Sequence, residues 1–145
     1  MTDRMARIVE ILIDSFVPML KAGLTFTVPL AIISFLLGLV LAFIVATIRV
    51  LNIKCLNPIV RFYVWIIRGT PLLVQLFIIF YGLPSIGITL DALTAAMIGF
   101  TLNVGAYSSE TIRAAMMSVS KGQWEAAHAL GLTKNQTLIY IIIPQ

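Results

Sequence analysis

The side chains that could do chemistry are few, and they lie in a largely apolar chain. Cys55 and His128 are the only cysteine and the only histidine. No thiolate metal site can be built from one cysteine, and a lone imidazole is poor evidence for a metal or general-base role. There is no glycine loop ending in Lys-Ser or Lys-Thr to cradle a phosphate, and no nucleophile with a recognisable base. No catalytic residue and no metal ligand is therefore expected, and the chain does not read as an enzyme. What remains is polar recognition. Gln75 and Asn103 sit inside apolar stretches, where a polar side chain faces a bundle interior or a water-filled cavity because lipid cannot satisfy it. Both are candidates for lining a solute path, and each could equally bond across to another helix. Glu110 and Arg113 stand three apart, a spacing at which they pair on a helix. Glu125 stands among small residues, Ala126, Ala127 and Ala129, closed by Gly131. A helix of so little bulk lets a partner approach closely, and the carboxylate offers one charge to a basic group. The plain alternative for Glu125 is a solvated helix charge.

The elements that would position these residues follow from hydropathy. Of 145 residues, 60% are hydrophobic and 11% charged, against roughly a quarter charged in a soluble domain. No charged side chain lies between Lys21 and Arg49, between Arg68 and Asp91, or between Asp91 and Glu110. Each gap is about the 17–25 residues that a helix needs to cross a bilayer core. The expectation is an all-α integral membrane protein with spans at 23–48, 58–81 and 92–109. A soluble core helix could explain one such stretch, but three would leave too little polar surface to cover them. Over 4–20, Met5, Ile8, Val9, Leu12, Ile13, Phe16 and Met19 fall to one side, and Arg4, Arg7, Glu10 and Asp14 to the other. That is the spacing of an amphipathic helix lying along the membrane surface. Asp3, Glu10 and Asp14 beside Arg4 and Arg7 also argue against a cleaved signal peptide.

Pro29 can bend the first span near its start. Asn57-Pro58 reads as the cap and first residue of the second. Gly69-Thr70-Pro71 predicts a kink inside it, with a freed carbonyl that needs a polar partner in the membrane. The stretch 82–91, with Pro84 and Gly87, reads as a return loop. Ser120 with Gln123, and Thr133 with Gln136, have capping-box spacing, and Gly131 suits the left-handed residue that closes a helix. A short helix region at 120–134 and the start of a fourth span at 136–145 complete the reading. Basic residues set the orientation: Arg49, Lys54 and Arg61 lie in one loop, Arg113, Lys121 and Lys134 follow the third span, and the return loop has none. The positive-inside rule puts the return loop and the N-terminus outside. The net charge of +4 then reflects loop bias, not nucleic-acid binding.

The stretch Glu125-Ala126-Ala127, three residues, Gly131, nine residues, then Ile141, Ile142, Ile143 and Pro144 closely resembles the EAA signature of ABC importer permeases. Ile143 stands where that family usually has Leu, a conservative apolar change. Arg68-Gly69-Thr70-Pro71-Leu72-Leu73-Val74-Gln75 and Gly105-Ala106-Tyr107-Ser108-Ser109-Glu110 through Arg113, then Ser118-Val119 and Gly122-Gln123, resemble the polar amino acid group of these permeases. The resemblance covers the chain from about Lys21 onward.

This resemblance implies a multi-span helical bundle of the type I importer kind in a prokaryotic inner membrane, with three complete spans and the start of a fourth. It implies a cytoplasmic coupling helix in which Gln123, Glu125, Ala126, Ala127, Leu130 and Gly131 meet a separate ATPase. The implied partners are two ATPase subunits, a second permease, identical or homologous, an extracytoplasmic solute-binding protein, a polar amino acid and membrane lipid. ATP and magnesium would be bound by the ATPase, so no cofactor is expected in this chain. Permeases of this kind have more spans than 145 residues hold, so the chain is expected to be truncated at its C-terminus. Two alternatives stand beside this reading: a truncated or non-transporting membrane subunit that keeps the ATPase contact, and an EAA permease for a different small solute.

Overall fold

The structure, a computed structural model, describes residues 2–145, the side chains of residues 2–4 and 6 excepted. The expected polar positions Asp3 and Arg4 lie outside the described side chains. The described residues are helical or looped, with no strand among them. They form two units, one up to Ile33 and one over Ser34–Gln145.

In the first unit, helix α1 (Thr2–Ala22) is followed by a π-helical turn, Gly23–Thr27, that leads into α2 (Val28–Leu51). Pro29 lacks an amide donor and its ring crowds the carbonyl one turn back, and a widened turn relieves both problems. Leu12 and Phe16 of α1 are exposed, so its apolar side is not covered by this unit.

The second unit is built on close helix contact. Ala42, Val45 and Ala46 of α2 and Ala106 of α5 (Ala92–Ser118) are almost wholly buried. A β-carbon placed on Gly38 would stand 2.7 Å from Val104, and one on Gly105 would stand 2.8 Å from Leu41 and from the Tyr63 hydroxyl. Absence of a side chain at these two points lets α5 approach α2 and α3 (Asn57–Gly69) backbone to side chain, which is how helices pack where no hydrophobic gain separates protein from lipid. Tyr63 of α3 donates to the Leu102 carbonyl of α5 at 2.6 Å. Asp91 caps α5, accepting from the Thr94 amide at 3.0 Å.

Asn57 does not cap α3. The cap is Leu56, with Pro58 in the first turn, and the Asn57 side chain instead bonds to Asn52. The continuous kinked helix expected over 58–81 is instead two helices, Asn57–Gly69 and Leu72–Ile86, bent by 109° at the break. Within the latter, α4 (Leu72–Phe77) passes through a π-helical turn into a short 3₁₀ turn, Leu83–Ile86. Gly87, at φ 86°, then opens the return to α5. Beyond α5 come α6 (Lys121–Ala129), α7 (Lys134–Thr137) and a π-helical turn, Leu138–Ile142.

Among the described residues, one helical stretch, Arg7–Leu51, is long and apolar enough to cross a membrane. The bent pair passes the same test only when taken as one span. Helix α5 has 27 residues, ample length, but Thr101, Asn103, Tyr107, Ser108 and Ser109 dilute its apolar character.

Candidate functional site

The break between α3 and α4 follows from Pro71. A residue before proline is pushed out of the helical region, and Thr70 is extended, at φ −122° and ψ 144°. That ends α3 and leaves its last carbonyls without intrahelical donors. Side chains supply them. The Thr70 hydroxyl donates to the Ile66 carbonyl at 2.8 Å. The Gln75 amide nitrogen lies within donating distance of the Ile67 carbonyl (2.7 Å), the Thr70 carbonyl (3.0 Å) and the Thr70 hydroxyl (2.9 Å). Gln75 is buried, and its amide oxygen accepts from the Asn103 side chain of α5 at 3.3 Å. The two solute-path candidates thus meet. Gln75 is committed to the break and does not stand free to face a solute, whereas Asn103 remains half-buried beside it.

About two turns further along α5, Glu110 gathers three arginines from three helices. Arg49, in the last turn of α2, hydrogen-bonds to one carboxylate oxygen. Arg113 donates to the other through Nε at 3.2 Å and Nη2 at 3.0 Å. Arg68, from the last turn of α3, stands 3.9 Å away and lies over the Tyr107 ring, 5.3 Å from its centre. The pairing of Glu110 with Arg113 is legible from their spacing, and the other two are not. Arg68-to-Gln75 and Gly105-to-Arg113, separate motifs in the sequence, prove to be each other's partners: Arg68 meets Tyr107 and Glu110.

The third feature is the loop after α5. Ser120 does not close a capping box: it caps α6 with its backbone alone, the Gln123 amide donating to its carbonyl at 3.0 Å. The box at Thr133 and Gln136 is complete. Gly131 sits at φ 81°, where its amide reaches the His128 carbonyl at 3.0 Å and the Leu132 amide reaches Ala127 at 3.1 Å. This pair of reversed bonds seals the end of α6. Gln123, Glu125, Ala126 and Gly131 are exposed, and Leu130 is 80% exposed. Ala127 differs from the rest of the proposed coupling set in being buried within this chain, where its small side chain lets α6 seat closely. Trp124 is half-buried, packed on a cluster of Met116, Leu138 and Ile142. Exposed His128 has no metal-binding company, since no group of three metal-ligating side chains occurs among the described residues.

Residues 38–145 match the family described as binding-protein-dependent transport system inner membrane component. The chain belongs to this family. Among its relatives, the L-cystine transport system permease protein TcyB of Bacillus subtilis is 52% identical over 132 residues, covering 91% of this chain and 56% of that protein. The probable amino-acid ABC transporter permease protein YckA of the same organism is 42% identical, covering 94% of this chain and 60% of that one. A crystal structure of an amino acid ABC transporter with histidines is 36% identical, with a TM-score of 0.81 over 93% of this chain and 63% of that one. The chain spans rather more than half the length of these relatives, each of them named as an amino acid or L-cystine transport protein. The family's members are permease components and not enzymes, and its membrane location is an inner membrane.

Proposed function

We propose that this permease chain forms part of the transmembrane path of a binding-protein-dependent importer for a polar amino acid, and that α6 couples it to a separate ATPase. The observation that carries the coupling half is the exposed surface of α6 and its end, where Gln123, Glu125 and Ala126 lead to a bare Leu130. A large apolar side chain left open at the end of a helix that also carries an exposed carboxylate and small alanines suits a protein partner. The seal at Gly131 and the box at Thr133 join α6 to α7 with little slack, and Trp124 ties α6 to Met116 of α5. A push on α6 would therefore pass into α5 and the segment after α7. Two ATPase subunits binding ATP and magnesium, a second permease and an external solute-binding protein complete the proposed assembly. The spans 23–48, 58–81 and 92–109, the start of a fourth, the N-terminus outside and α6 in the cytoplasm belong to the same proposal.

For the solute half, Asn103 is the residue retained, with Gln75 positioning it. Two relatives, 52% and 41% identical, are named for L-cystine, which puts L-cystine first among the solutes to test, ahead of glutamine and arginine. The complete reading frame, co-expressed with its ATPase and binding protein, is expected to give ATP-dependent uptake of one labelled amino acid. Glu125→Ala with Gly131→Ala should abolish that uptake with the complex still assembled. Stable assembly without uptake of any amino acid would favour a non-transporting subunit or another solute class.

A further inference from the structure

A cleft of about 400 Å³ opens where the ends of α2 and α5 meet the starts of α6 and α7, lined by Arg49, Leu51, Met117, Lys121, Trp124 and Lys134 among others. We propose that it binds the headgroup and upper acyl chain of an anionic phospholipid, beside the coupling helix. Three cations line it and no carboxylate does. Arg49 is held by Glu110, whereas Lys121 and Lys134 join no ion pair among the described residues. Phosphate is the group that two such ammoniums, three donors each, would bind as point charges. Leu51 and Trp124 add an apolar wall continuous with the cluster of Met116, Leu138 and Ile142, and Met117 lines the same cleft. A small soluble anion gains nothing from that wall. A phospholipid carries its phosphate directly beside hydrocarbon, and tryptophan prefers that boundary. An acidic protein surface would match the charges and leave the wall unused. Occupancy would brace α6 against α5, making coupling sensitive to the anionic lipid content of the membrane.

The proposal rests on the membrane-permease reading, and its test separates the two. Met117 lines the cleft and is 63% exposed, so Met117→p-benzoylphenylalanine places a photo-crosslinker inside it. The full permease–ATPase complex is reconstituted in nanodiscs of mixed phosphatidylglycerol and phosphatidylcholine, irradiated and analysed by mass. Phosphatidylglycerol adducts should exceed its mole fraction severalfold, and Lys121→Gln with Lys134→Gln should bring them back to that fraction. Native mass spectra of the unmodified complex should show fewer retained phosphatidylglycerol molecules in that double variant. Adducts that track bulk composition, or that fall on the ATPase, would overturn the lipid site and leave loop charge or protein docking as the role of these lysines. Uptake measured on the same complex reconstituted in sealed proteoliposomes of the same lipid mixture reports on the permease reading separately: uptake with no enrichment sinks the lipid site alone.

Discussion

Gln75 carries more of the structure than its single polar position in an apolar run suggests. Its amide nitrogen serves the carbonyls freed by Pro71, and its oxygen holds Asn103. Gln75→Leu keeps the apolar volume and removes every one of those bonds, so it should destabilise the permease by about 1–3 kcal/mol, the usual cost of buried polar groups left unmade. Asn103→Leu loses one bond of 3.3 Å and should cost under about 1 kcal/mol, in line with interhelical bonds in membranes. Thermal unfolding in detergent measures both, and equal losses would mean that Gln75 does not serve the break. The need for a polar partner at the Gly69-Thr70-Pro71 break is readable from the proline. Which side chain answers it is not, because Gln75 becomes the partner only after the chain has turned by 109°.

Among the elements, helix approach is set by what is absent at Gly38. A β-carbon there meets Val104 at 2.7 Å and the Thr101 carbonyl at 3.1 Å. Gly38→Ala should therefore lower stability by about 1–3 kcal/mol through overpacking. Adding Val104→Ala should recover part of the loss. Gly23 has nothing within 4 Å of such a carbon, and Gly23→Ala should instead stabilise by about 0.5–1 kcal/mol, the helix-interior difference between the two residues. If both glycines respond alike, close approach is not what Gly38 provides. The start of α5 depends on pH. The Thr94 hydroxyl and then its amide, both donating to Asp91, hold that carboxyl below the usual aspartate range. A depressed folded value means that the ionised form is favoured by folding. The contribution is therefore present above the unfolded value of about 3.9 and is lost as pH falls through the folded one. The Tm advantage of wild type over Asp91→Asn should shrink as pH is lowered from 5 towards about 3, and a constant difference would show that the cap charge contributes nothing.

For the molecule as a whole, the testable claim is its orientation. Cys55, the only cysteine of the chain, is exposed in the turn between α2 and α3. With the N-terminus outside, that turn is cytoplasmic. A membrane-impermeant maleimide should leave Cys55 unmodified on intact cells and label it on inverted membranes. In a Cys55→Ser background, Ser85→Cys, on the return loop, should behave in the opposite way. Labelling of Cys55 from outside would invert the proposed topology and put α6 on the wrong side for an ATPase.

Much of this protein is settled by covalent sequence. Apolar runs of bilayer length, the loop of Glu125 and Gly131, the turn at Pro71 and the cap at Thr133 are local, since period, proline geometry and capping act over a few residues. These identify a helical member of the permease family and place the short, closed helix for which coupling is proposed. The capping expectations at Asn57 and Ser120 fail for a physical reason: the same side-chain types also bond elsewhere, or leave the work to their backbone, and spacing does not discriminate. Burial of Ala127 is likewise decided by what α6 lies against. Only the tertiary structure brings Arg49 and Glu110 together from positions 61 residues apart, because charge pairing over that distance depends on how closely α2, α3 and α5 pack. The glycines that permit the packing are visible in the sequence as residues, and their meaning lies in the atoms they let in.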